Sequence, residues 1–240
     1  MRLKKRHRSG TTLVEMIVCL MLITILMAMG AQTLSSASRI FVEVQKTQYA
    51  QSILDTTMTE LQSITRDATV YVKLYQVTAT GGNNIAGDNG TLNQGQILEF
   101  VNEEGYAVVV SAEGCDETVL TGGNNSGTAS AVEAGRLLTR YYTREADGTF
   151  VYAANGKPQA RAVAEVFGKG FYMKNYLKVE FSAPAGTANG DRVNELTAVV
   201  TLYSDENRTK MVAQDTEILD FRHEVRFKQG DGEVTAKAES

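Results

Sequence analysis

The hydrophobic residues of this chain form three successive patterns, and each predicts a different structure. Residues 13–30 are almost uniformly apolar, and about 20 such residues suffice to cross a bilayer as a helix. In residues 31–66 apolar side chains recur every three or four positions without a proline, which is the period of a helical face. Beyond residue 69, β-branched and aromatic runs alternate with glycine- and asparagine-rich loops, as is typical of strands. We therefore expect an α+β fold in which one long N-terminal helix packs on an antiparallel β-sheet.

The second pattern predicts which side of the helix is buried. We expect one continuous helix from about Thr12 to about Arg66, with an apolar stripe in its second part that packs on the sheet. A coiled-coil homodimer is the alternative for this part, although the glutamine- and threonine-rich interval 45–51 weakens a strict heptad. The stripe consists of Leu34, Ala37, Phe41, Val44, Ile53, Leu54, Met58, Leu61 and Ile64.

The third pattern predicts a sheet of short strands joined by turns. One hairpin is expected to turn at residues 102–105, and another at the Asp147-Gly148 pair, which favours a tight turn. A long loop is expected over residues 81–95 because glycine, asparagine and aspartate dominate it. The expected strands are residues 70–78, 96–101, 106–110, 117–121, 136–144, 149–152, 162–167, 176–181, 196–202 and 217–221.

Charge sets the first ten residues apart from the rest of the chain. All five basic residues of this leader precede Gly10, so the N-terminal side of the apolar run is expected in the cytoplasm. The remaining chain has 19 basic and 28 acidic residues and a net charge of −9, which argues against direct binding to nucleic acid. The expected division is a leader (1–10), a membrane or fibre-core helix (11–30), an amphipathic helix (31–66), a β-rich domain (67–228) and a flexible tail (229–240).

One carboxylate, Glu15, interrupts the apolar run near its start. A charged group in the bilayer core costs on the order of 2.5–3.5 kcal/mol, so its presence calls for a reason. A basic leader that ends in Gly10, two small residues, Leu13-Val14-Glu15 and then an apolar helix resembles the class III signal of type IV pilins and pseudopilins. The resemblance covers about thirty residues, with glycine, acid and helix in fixed register.

The resemblance implies how this segment is processed. A prepilin peptidase would cut between Gly10 and Thr11, the new N-terminus at Thr11 would be methylated, and Glu15 would act in subunit assembly. Two features depart from the family pattern. The family prefers phenylalanine or methionine where this chain has Thr11, and the helix lacks the central proline of many major pilins.

The resemblance also implies a function and a location. We expect a minor pilin or pseudopilin of a type IV pilus, a type II secretion system or a DNA-uptake system, acting at initiation or at the fibre tip. Its partners would be the prepilin peptidase, other pilins, the assembly platform and the cytoplasmic membrane, which it would cross once with the soluble domain outside. The strand Leu137–Tyr142, the Asp147-Gly148 turn and the strand Phe150–Tyr152 resemble J-type minor pseudopilins and related minor pilins.

The charge of Glu15 has a physical use in a fibre of such subunits. Cleavage after Gly10 creates an α-ammonium group, and in a fibre that group would meet the Glu15 carboxylate of a neighbouring subunit. A buried charge is tolerated when it is paired, and only one axial offset brings the two groups together. The alternative is a plain membrane anchor in which Glu15 reaches towards the lipid headgroups.

Other functions find little support in the sequence. A single-pass membrane anchor that carries a ligand-binding or enzymatic surface domain is the alternative, and a secretory signal with cleavage near residues 28–31 is a further one. We expect no catalytic residue, no metal and no cofactor, because no nucleophile, phosphate-binding or zinc motif is present. Cys19 and Cys115 are expected in different environments, and His223 on the surface. The glycine- and asparagine-rich loops raise the alternative of a calcium site. Its ligands would be Asp88, Asp116, Glu117 and Asp191, but these acids are not spaced as in an EF-hand.

Overall fold

The N-terminal helix is the longest element of the chain. The computed structural model describes residues 12–75, 93–114, 134–143 and 160–229. Helix α1 spans Leu13–Thr65, within one residue of the expected ends. The chain divides into two compact units, residues 1–48 and 49–240, so that α1 contributes to both. The leader, the strands expected at 117–121 and 149–152 and residues 230–240 lie outside the described residues.

The helix of the first unit, described from Leu13 to Gln48, leaves its apolar side chains exposed. Their exposed fractions range from 45% at Ile17 to 78% at Leu13. The helix is long and apolar enough in this part to cross a membrane. A helix that is apolar on all sides is typical of a lipid or helix-bundle environment.

The last four turns of α1 belong to the second unit, and one side of them is buried. Leu61 and Met58 are almost completely inaccessible to solvent, and both lie in the main hydrophobic core. The second part of the expected stripe is thus buried, with Ile64 partly so, but its first part is exposed: Leu34 and Phe41 have exposed fractions of 76% and 62%. The spacing of apolar residues shows which side of a helix is apolar, but it does not show at which residue the rest of the domain begins to cover that side. The buried helical residues are Ala50, Ile53, Leu54, Thr57, Met58, Leu61 and Thr65.

The described residues of the second unit also form a nine-stranded sheet, which confirms the α+β class. The strands lie in the order β2-β7-β8-β9-β1-β3-β4-β5-β6, and their neighbours run antiparallel except for the parallel pair β1 and β9. A short 3₁₀ helix, Lys169–Tyr172, precedes β7. The strands are β1 Ala68–Tyr75, β2 Gln94–Gly95, β3 Ile97–Asn102, β4 Ala107–Ser111, β5 Leu138–Tyr142, β6 Ala160–Glu165, β7 Tyr176–Ser182, β8 Arg192–Tyr203 and β9 Met211–Gln229.

Two expectations about the strands need correction. The end of the loop expected at 81–95 forms β2, because Gln94 and Gly95 pair with β7. The last strand was expected over residues 217–221 only, but β9 has 19 residues. Its charged part, Arg222 to Glu224, is exposed, as the sequence predicts for His223, and lies within this strand.

Gly95 lies where the β2 end of the sheet approaches the central strand β1. Only Gln96 separates β2, which pairs with β7, from β3, which pairs with β1. The Gln96 N–H donates to the Tyr75 carbonyl at 2.9 Å. A Cβ at Gly95 would lie 2.4 Å from the same carbonyl oxygen, so this close approach requires glycine.

Buried hydroxyl groups connect the strands and the 3₁₀ helix. The carboxylate of Glu99, which is fully buried, accepts hydrogen bonds from Tyr71 at 2.7 Å and from Tyr75 at 2.8 Å. The hydroxyl of Tyr172 accepts from the Leu137 N–H at 3.0 Å. Burial raises the pKa of Tyr172 to about 12, because the charged phenolate is poorly solvated there.

Candidate assembly site

The residues expected to carry function lie at the start of α1. Gly10 and Thr11, the expected cleavage and methylation positions, lie outside the described residues. Thr12 is the first described residue, and α1 begins at the next position with Glu15 in its first turn. Glu15 is also the only charged side chain among residues 12–38. The chain itself therefore supplies no basic side chain near Glu15 within this segment.

Thr12 and Glu15 form a reciprocal hydrogen-bonded pair. The carboxylate oxygen Oε2 of Glu15 accepts from the Thr12 N–H at 2.8 Å and from the Thr12 hydroxyl at 3.2 Å. In return the Glu15 N–H donates to the Thr12 hydroxyl oxygen at 3.4 Å. This is a capping box, in which a threonine at the N-cap and an acid three residues later satisfy helix-end N–H groups. The arrangement fixes the point at which α1 begins.

The capping box also places a negative charge where the helix favours one. The unpaired N–H groups of a helix N-terminus carry a partial positive charge, and an acid in the first turn stabilises it. Sequence reasoning assigned a role to Glu15 but overlooked Thr12. The signal was present, because Thr-x-x-Glu directly before an apolar run is the pattern of a capping box.

The second carboxylate oxygen of Glu15 has a different environment. Both contacts of Thr12 go to Oε2, and no described residue donates a hydrogen bond to Oε1. The neighbouring side chains Leu13, Val14 and Met16 are apolar and at least 60% exposed. Glu15 therefore presents one uncommitted acceptor within an exposed apolar surface.

The remaining polar candidates lie elsewhere and make ordinary surface contacts. His223 is exposed as expected, with its Nε2 3.8 Å from the Glu103 carboxylate. The Oδ2 atom of Asp191 accepts from the Ala188 N–H at 2.8 Å, which is a turn contact. Cys19 is an exposed free thiol, while Cys115 and the acids Asp88, Asp116 and Glu117 lie outside the described residues. Among the described residues no group of three or more potential metal ligands occurs.

Comparison with known proteins places the same segment in a defined class. Residues 5–31 match the family model of the prokaryotic N-terminal methylation motif, and this range includes Gly10, Thr11, Thr12 and Glu15. No curated protein and no solved structure matches the chain. The match covers the end of the leader, the capping box and the first turns of α1. Residues 5–31 thus carry the class III signal of a type IV pilin-like precursor.

Proposed function

We propose that this chain is a minor pilin or pseudopilin, a structural subunit of a type IV pilus or of a secretion or DNA-uptake pseudopilus. A prepilin peptidase cuts it between Gly10 and Thr11, and the new N-terminus at Thr11 is methylated. The subunit then enters the fibre through α1, at initiation or at the tip. The observation that carries the proposal is the methylation motif over residues 5–31, at the start of a helix with exposed apolar side chains.

The exposed apolar helix suits two successive environments. Before assembly, the segment that starts at Leu13 lies in the cytoplasmic membrane, where its side chains contact lipid. The basic leader keeps the N-terminus on the cytoplasmic side, where the peptidase reaches the scissile bond. After assembly, the same side chains contact the helices of neighbouring subunits. The partners are thus the peptidase, other pilins, the assembly platform and the membrane.

Glu15 serves both environments through its two oxygen atoms. In the single subunit Oε2 caps α1 through Thr12. In the fibre Oε1 accepts from the α-ammonium group of a neighbouring subunit, which balances the buried charge. A subunit at a wrong axial offset would bury an unpaired carboxylate at a cost of several kcal/mol, so the pair sets the register. The role is structural, and no residue acts as a catalyst.

The experiment that tests this proposal measures processing in cells. The chain is expressed with and without an active prepilin peptidase, and the mature N-terminus is determined by sequencing and by intact mass. We expect a chain that begins at Thr11 and carries one N-terminal methyl group only when the peptidase is active. Gly10→Val should block cleavage because the bulky side chain lies beside the scissile bond. Ser9→Val is the matched control and should be cut.

The same measurement separates the proposal from its alternatives. A membrane-anchored surface domain with its own ligand would keep Met1 in the presence of the peptidase. A secretory signal would give a chain that begins near Ala31. Either N-terminus, found in cells that process a known prepilin, would exclude a pilin role.

A further inference from the structure

Strand β9 has one edge that is only partly paired. Residues 211–220 pair with β8, while the parallel partner β1 pairs only with the last residues of β9, Arg226 to Gln229. On the other edge of residues 213–218, the backbone groups form no hydrogen bond with any described residue outside this strand. The bond that is present there comes from a side chain of the strand itself. An unpaired strand edge is a template for another strand.

Three hydrogen bonds show which residues direct their backbone groups to this edge. The side-chain amide of Gln62 accepts from the Asp220 N–H at 3.1 Å and donates to the Asp220 carbonyl at 2.7 Å. The N–H of Thr216 donates to the Asp215 carboxylate at 2.8 Å. Since alternate residues of a strand face the same edge, Gln214, Thr216 and Ile218 also direct their backbone groups outward.

The Gln62 contact shows that a peptide-like group fits this edge. Its amide presents an N–H and a carbonyl oxygen, as a peptide unit does, and these bond both backbone groups of Asp220. The next positions along the edge, Ile218, Thr216 and Gln214, are exposed, and Ile218 has an exposed fraction of 52%. An added strand would continue the pairing that Gln62 begins.

The charge of the edge restricts the occupant. Asp215 and Glu217 flank Thr216, and residues 211–221 contain no basic side chain. A second copy that paired all three outward residues in antiparallel orientation would place Asp215 opposite Glu217 twice. These would be non-hydrogen-bonded pairs, in which the side chains are closest, and like charges there are destabilising. The edge therefore disfavours its own copy and favours basic side chains.

We propose that the outer edge of β9, at Gln214, Thr216 and Ile218, binds an extended polypeptide segment with lysine or arginine at alternate positions. The backbone of the segment bonds the outward N–H and carbonyl groups, as in β-strand addition. Its basic side chains lie opposite Asp215 and Glu217. A backbone carbonyl of the segment accepts from the Thr216 N–H in place of the Asp215 carboxylate. The released carboxylate then forms an ion pair with a lysine or arginine of the segment.

The test uses the full chain in detergent micelles and a synthetic nine-residue peptide in which lysine alternates with threonine or valine. Amide hydrogen exchange is measured residue by residue by NMR. We expect exchange at Gln214, Thr216 and Ile218 to slow at least tenfold with the lysine peptide. Exchange at Asp215 and Glu217 should not change, because their amides already bond β8. A matched peptide with glutamate in place of lysine should have no effect.

Two sets of variants assign the effect to the edge. Thr216→Pro removes one outward N–H and should abolish the slowing at Gln214 and Ile218, whereas Thr216→Val keeps the N–H and should retain it. The double variant Asp215→Lys/Glu217→Lys should bind the glutamate peptide and should no longer bind the lysine peptide. This second test remains decisive even if Thr216→Pro does not fold.

Three results would overturn the proposal. The first is unchanged exchange at Gln214, Thr216 and Ile218 in the presence of the lysine peptide. The second is equal slowing by the lysine and glutamate peptides, which would remove the basic partner. The third is a chain that, without peptide, is already dimeric by sedimentation and protected at these amides, because the occupant would then be a second copy.

Discussion

The side chain of Gln62, in the last turn of α1, pairs with both backbone groups of Asp220, which is 158 residues away in sequence. Two residues further along β9, the Arg222 N–H donates to the Arg66 carbonyl at 3.0 Å. The end of the helix is therefore joined to β9 by three hydrogen bonds. The adjacent residue, Leu61, is fully buried in the core. Within the second unit, the end of the helix is thus held to the sheet by polar and apolar contacts together.

We expect Leu61→Ala to lower the free energy of unfolding of the second unit by about 2–5 kcal/mol, the usual cost of removing a buried leucine side chain. The side chain has no exposed surface, so the substitution leaves a cavity in the core. Chemical denaturation of the full chain in detergent, followed by tyrosine fluorescence, measures the change.

Leu34→Ala is the matched control, because this side chain is 76% exposed on the same helix. We expect it to change the free energy of unfolding by less than about 0.5 kcal/mol, as surface substitutions do. Equal effects of the two substitutions would show that burial of the helix from Ala50 onwards does not stabilise the unit.

We expect Gly95→Ala to destabilise the chain by about 3 kcal/mol, the upper end of the usual cost of overpacking. The added Cβ would lie 2.4 Å from the Tyr75 carbonyl oxygen, and backbone must move to admit it. Gly168→Ala is the control, because Gly168 has an ordinary negative φ and open space within 4 Å of the Cβ position. Thermal unfolding monitored by far-ultraviolet circular dichroism would report both. A Gly95→Ala chain that unfolds with the same midpoint as the Gly168→Ala chain would contradict the close approach of β2 to β1.

The sequence predicted those features that local patterns determine. The helix ends, the hairpin of β3 and β4 at residues 102–105 and the core strand β7 all depend on nearby residues, and each agrees with the structure. The capping box of Thr12 and Glu15 is equally local, but the partners inferred for Glu15 from the sequence were a neighbouring subunit and the lipid headgroups rather than Thr12.

The features that were not predicted depend on residues far apart in sequence. The parallel pair β1 and β9 joins Tyr71 to Arg226, and the contact of Gln62 with Asp220 spans a similar separation in sequence. Periodicity records which face of one element is buried, but it does not record which element lies beside it. For the same reason, the exposure of Leu34 was not predicted from an apolar stripe that includes both Leu34 and the buried Leu61.

We expect the chain to lose stability between pH 10 and pH 12. Tyr172 has an ordinary pKa of 10.0, and burial raises it to about 12 in the folded chain. Between these two pH values the phenol is still protonated in the folded state but deprotonated in the unfolded state. The contribution of Tyr172 to stability is therefore fully present below pH 10 and is lost as the pH rises to 12. At about 1.4 kcal/mol per pKa unit, the loss is about 2–3 kcal/mol.

Tyr172→Phe separates this effect from general alkaline unfolding. The variant should lose this part of the pH dependence, which denaturation at pH 9, 10, 11 and 12 would show. At neutral pH it should be less stable by about 1–3 kcal/mol, because the buried Leu137 N–H loses its acceptor. An unchanged alkaline slope in the variant would assign the effect to other tyrosines.

We expect Glu15→Gln to leave membrane insertion and cleavage between Gly10 and Thr11 intact but to reduce incorporation into the fibre. Glutamine keeps the size of the side chain and an oxygen that can accept from the Thr12 N–H, so the helix start is retained. It lacks the charge that attracts the α-ammonium group of a neighbour. A hydrogen bond between charged groups contributes about 1.5–3 kcal/mol, so we expect a reduction of about tenfold or more.

The measurement compares the amount of subunit in sheared fibres and in membranes for wild type, Glu15→Gln and Thr12→Val. The valine variant removes the capping hydroxyl but keeps the carboxylate, at a cost of about 1 kcal/mol in helix stability. If the charge of Glu15 acts between subunits, the amount of subunit in the fibre fraction falls only for Glu15→Gln, while Thr12→Val partitions as wild type does. If Glu15 acts only as a helix cap, the glutamine variant partitions as wild type does, because the cap contact survives in it. The two roles of Glu15 therefore give opposite results for one substitution.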